Sequence, residues 1–176
     1  MAGSLIKIDE EIVSSAVSSV ELGGTNWDSS YDVYMLKINN VIPETDGNDF
    51  KLRVLESGTP NTTANYDRAY KTFRTDIAFQ NTSGTNDTEL DLSTSIGNDT
   101  GEQANAIIYI FNANNSSEYT FFTVEELQLG TTALHIGLQG GGVFTSASAV
   151  NGVQIICQSG VTNFSSGTFT LYGLKK

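Results

Sequence analysis

The chain has 176 residues and a mass of 18.9 kDa, enough for one domain with a core of its own. Its net charge of -11 and pI near 4.3 disfavour DNA or RNA as a partner, because a polyanion is repelled on average. No run of about 18 apolar residues is present, which excludes a helical membrane span, and the 39% hydrophobic content excludes a highly charged disordered tail. Only 16% of residues are charged, and Ser, Thr, Asn and Gly stand in for the missing charge.

The hydrophobic pattern has a period of two along most of the chain. Residues 12–22 (IVSSAVSSVEL) read as a strand with Ile12, Ala16, Val20 and Leu22 on one face. Residues 31–39 (YDVYMLKIN) read as a second, with Tyr31, Val33 and Met35 on one side. In 50–56 (FKLRVLE), Phe50, Leu52 and Val54 alternate with Lys51 and Arg53, the pattern of a half-buried strand. Residues 57–103 are the loosest stretch and predict either long loops or an exposed edge, with one or two helical turns over 63–71 (TANYDRAYK). Residues 104–112 (ANAIIYIFN) are apolar on both faces and predict a central strand. Further strands are predicted over 118–124, 132–138, 153–158 and 167–173, and one helical turn over 124–128 (VEELQ). Segments such as ELGGTN, ETDGND, NTSGTND and CQSGVTN carry turn chemistry between them, and LQGGGVF at 138–144 reads as a flexible hairpin tip. The fold class is therefore all-β: eight to ten antiparallel strands in a single, jelly-roll-like β-sandwich domain spanning 1–176.

Chemistry-bearing patterns are few. The single His, His135, lies in TALHIGL with no G-x-S-x-G elbow to supply a nucleophile, and it reads as a structural residue on a strand surface. Glu125 and Glu126 are adjacent, so on a strand they face opposite sides and make a poor glycosidase pair. No spacing fits zinc, no phosphate-binding loop is present, and no cofactor is expected. Asp87, Glu89 and Asp91 in TNDTELD, and Asp46, Asn48 and Asp49 in TDGND, offer hard oxygen ligands suited to calcium; solvated acids are the alternative, and the favoured one. Cys157 sits in the apolar run VQIIC and reads as a buried thiol. Trp27 and Tyr31 form a candidate aromatic site for stacking on a sugar ring, against the favoured reading of a Trp that caps the end of the core.

Charge is segregated. Lys51, Arg53, Arg68, Lys71 and Arg74 cluster in sequence, whereas residues 75–174 hold no Lys or Arg but nine acids. That asymmetry suits subunits that meet basic patch to acidic patch, so the five cations form a candidate assembly patch.

The segments LGGTNWDSSYDVYMLKINNVIPETDGNDFKLRVLESGTPNTTANYD, IIYIFNANNSSEYTFF and the closing SGTFTLYGLKK resemble small virion proteins of tailed phages, particularly marine ones. The closing pattern GTxxLYGxx, here Gly167, Thr168, Leu171, Tyr172 and Gly173, is the most specific part of the resemblance. It implies a non-enzymatic structural protein of the virion, of the head decoration or cement type. A tail or fibre protein that binds a host-surface glycan is the alternative. The implied partners are other copies of the chain and other virion proteins, with no nucleic acid and no membrane. The N-terminal MAGSLIKIDEE carries no signal-peptide pattern, which fits synthesis in the host cytoplasm and release by lysis.

Overall fold

The structure is a computed structural model that describes residues 4–157 and 160–175. Its strands, in chain order, are β1 (Ser4–Val13), β2 (Ser19–Gly23), β3 (Val33–Pro43), β4 (Phe50–Glu56), β5 (Thr59–Pro60), β6 (Tyr66–Arg74), β7 (Gln80–Asp87), β8 (Leu90–Asp91), β9 (Ala104–Phe111), β10 (Thr120–Gly130), β11 (Leu134–Phe144), β12 (Gly152–Cys157) and β13 (Phe164–Lys175). Two antiparallel sheets result. The larger has the order β1-β13-β3-β9-β10-β11-β6-β7, and the smaller β2-β12-β4-β5 with β8 also on β4.

This connectivity is jelly-roll-like. The chain passes from one sheet to the other at each step from β1 to β4, and returns late to place β12 between β2 and β4 and β13 between β1 and β3. The hairpins β6–β7 and β10–β11 widen the larger sheet on one side. A continuous core lies between the sheets, with Tyr34, Phe50, Tyr66, Phe144, Phe164 and Phe169 among its largest buried side chains. Aromatic contacts tie it together, including Tyr66 against Phe144 at 5.0 Å between ring centroids and Phe164 against Phe169 at 5.4 Å.

Several local expectations are corrected. Residues 12–22 are not one strand: β1 ends at Val13, and β2 begins at Ser19 in the other sheet. Val13, Val20 and Leu22 are buried, while Ile12 points out to solvent. The predicted helical turns over 63–71 are mostly strand β6, because pairing with both β11 and β7 satisfies its backbone and alternation buries Tyr66 and Tyr70. The turn predicted over 124–128 is the middle of β10, held on both sides by β9 and β11. Gly140–Gly142 are not a hairpin tip but the interior of β11, paired with β10 and β6. Glycine is required there by close approach: a Cβ on Gly140 would lie 2.3 Å from the Ala69 carbonyl oxygen. The loose stretch 57–103 contributes β7, which forms one edge of the larger sheet. Of the strand predicted over 153–158, residue 158 lies outside the described residues.

Candidate functional site

The five cations singled out by sequence do not share one surface. Lys51 and Arg53 leave the same side of β4 and meet the acids of 87–91 within the chain. Arg53 donates from Nη2 to Glu89 Oε2 at 2.8 Å, and Lys51 Nζ lies 2.7 Å from Asp91 Oδ1. Arg68 joins the group through Asp87 and Asp91. The carboxylates considered as calcium ligands thus face three cations. Burial alone would lower the Lys51 pKa, but Asp91, Asp49 and Glu89 outweigh it and raise it. Burial pushes the Asp49 carboxyl up in the same cluster. Lys71 sits on the opposite face of β6, where it donates to Asn81 Oδ1 at 2.8 Å. Arg74 pairs with Asp76 two residues away. Asp46 accepts from the backbone N–H of Asn98, and Asn48 donates to the Thr45 carbonyl. Among the described residues, no three His, Cys, Asp or Glu side chains come together as a metal site.

Trp27 is half-buried at one end of the sandwich. Its ring stacks on Tyr34 at 3.9 Å, and its Nε1 donates to Asn114 Oδ1 at 2.8 Å. The Asn114 amide in turn donates to the Tyr31 carbonyl at 2.9 Å and to Tyr34 Oη at 2.7 Å. Tyr31 lies over the backbone of Gly173, where a Cβ would approach its ring to 2.3 Å. This gives a physical reason for one glycine of the closing GTxxLYGxx pattern. The cluster locks the loop before β3 onto the core, and Trp27 has no N–H left to offer a ligand.

His135 is exposed on β11, and Cys157 is buried as a free thiol, its pKa raised by burial. Strand alternation separates Glu125, exposed, from Glu126, buried with neither carboxyl oxygen hydrogen-bonded. Burial raises the Glu126 pKa well above the ordinary carboxylate range.

The outer face of the eight-stranded sheet carries exposed apolar side chains. Ile107, Tyr109, Phe121 and Leu127 stand exposed on the adjacent central strands β9 and β10. Phe73 lies over Gly137 of the neighbouring strand, at a site where a Cβ would come within 2.0 Å of the ring. Two shallow depressions mark this face. One, of about 390 Å³, has an apolar floor of Ile107, Leu127 and Phe73, with Lys37, Glu125 and Gln139 at its rim. The other, of about 400 Å³, is lined by Ala69, Phe121, Gly141 and Val143. Sequence reasoning missed this face. Its signal was the run ANAIIYIFN, apolar on both sides, which also describes a strand covered on both sides.

Comparison with protein-family models and with curated proteins returned no match for this chain.

Proposed function

We propose that this chain is a non-enzymatic structural subunit of a tailed-phage virion, most simply a head decoration or cement protein. The observation that carries this reading is the exposed apolar face of the larger sheet, supported by the resemblance of the chain's closing strand to virion proteins. Monomeric proteins rarely expose contiguous apolar surface beyond a few hundred Å², and larger patches mark contact sites. A sandwich with a continuous core and a surface poor in charge suits a rigid part of a particle. In this reading the chain's work is binding and reinforcement, and no side chain is asked to perform a chemical step.

A second reading, a tail or fibre protein that holds a host glycan, is favoured by one feature. The depression beside Ile107 combines amide and charged rim groups with an apolar floor, as a sugar-binding surface does. Antibody labelling of purified particles separates the two. Labelling spread over the head is expected; labelling confined to the tail supports the second reading, and absence from particles refutes both.

A further inference from the structure

We infer that the outer face of the eight-stranded sheet is a self-association surface whose partner is a second copy of this chain, packed face to face about a two-fold axis running along β9. This names the partner within the structural reading above, and it is tested in solution rather than on particles, so either can fail without the other.

The evidence is the distribution of charge on an apolar face. Lys37, Ile107 and Glu125 lie side by side on β3, β9 and β10, fixed by the pairs Lys37–Ile107 and Ile107–Glu125. All three are exposed. Among the described side chains, every other Lys or Arg has a polar partner: Lys7 has Glu10, Lys71 has Asn81, Arg74 has Asp76, and Lys51, Arg53 and Arg68 share the cluster of acids. Lys37 has none among the described residues. In a chain of net charge -11, a cation without a partner among the described residues, at the rim of an apolar depression, is a feature a partner would use.

The row is self-complementary. A half-turn about an axis along β9 leaves Ile107 facing Ile107, and brings Lys37 of one copy opposite Glu125 of the other, twice per contact. The same operation sets Tyr109 against Tyr109 and Val33 against Phe121, as the strand register dictates. A footprint of five strands about 4.8 Å apart and seven residues at about 3.4 Å covers on the order of 570 Å² in projection, hence on the order of 1,100 Å² for the pair, just above the roughly 1,000 Å² a biological interface needs and at the small end of the size range.

The test is sedimentation equilibrium of the full chain, with Lys37→Glu, Glu125→Lys and Ile107→Asp, each checked by circular dichroism for an intact sandwich. The wild type is expected to dimerise with concentration. Each single variant places like charges, or a buried charge, across the axis and should weaken association by about tenfold or more. An equimolar mixture of Lys37→Glu and Glu125→Lys should recover as a heterodimer, because each altered side chain then meets its opposite. A wild type that stays monomeric at all concentrations overturns the inference. So do variants that associate like the wild type, or a mixture that does not recover.

Discussion

The buried carboxyl of Glu126 is expected to cost this fold stability at neutral pH. Its neighbours across the strands are Ala106 and Leu138, both buried, and Val124 and Gln128 flank it on its own strand. Neither carboxyl oxygen has a hydrogen-bond partner among the described residues, and Gln128 is engaged with the backbone of Thr94. The folded state therefore holds its proton above the ordinary value of 4.5, so native protein binds more protons than unfolded protein in that window. Stability is full below the ordinary value and falls as pH rises toward the folded value, by about 1.4 kcal/mol per pH unit. Glu126→Gln keeps the shape and removes the titration. The stability difference between wild type and Glu126→Gln, measured by urea unfolding at several pH values, should change with that slope above pH 5. Carboxyls held low in the folded state, such as Glu10, Asp28 and Asp76, act below the ordinary range and cancel in the difference. Glu126→Met removes the unpaired oxygens and should stabilise the fold at pH 7 by about 1–3 kcal/mol, or roughly 3–10 °C in Tm. Parallel pH profiles for wild type and Glu126→Gln would refute the reasoning.

Asn114→Ala should cost about 1–3 kcal/mol, since it strips partners from Trp27, Tyr31 and Tyr34 at once. Trp27 is the one Trp of the chain, so its emission should shift to the red before global unfolding. Gly140→Val should destabilise by about 2 kcal/mol or more in thermal unfolding, because a side chain there meets the backbone of β6 rather than a movable side chain.

Much of this architecture is legible in the residues alone, because alternation is a local property. FKLRVLE shows it: Phe50, Leu52 and Val54 face the core, and Lys51 and Arg53 face away from it, whatever lies above or below. The buried thiol of Cys157 and the capping place of Trp27 follow from the same local logic. Tertiary pairing decided what local pattern leaves open. TANYDRAYK is compatible with helical turns, and becomes mostly strand because β7 and β11 flank it. Three consecutive glycines read as a flexible tip, and instead lie mid-strand because neighbouring backbones crowd them. The cations of 51–68 found their acids at 87–91 through the meeting of β4, β6 and β8, a proximity that sequence distance hides. The two-sided apolar run at 104–112 fixes a central strand without saying what covers each side. Folding buried Ala106, Ile108 and Ile110 between the sheets and left Ile107 and Tyr109 facing out, since one strand supplies both faces but the chain provides a second sheet for only one of them.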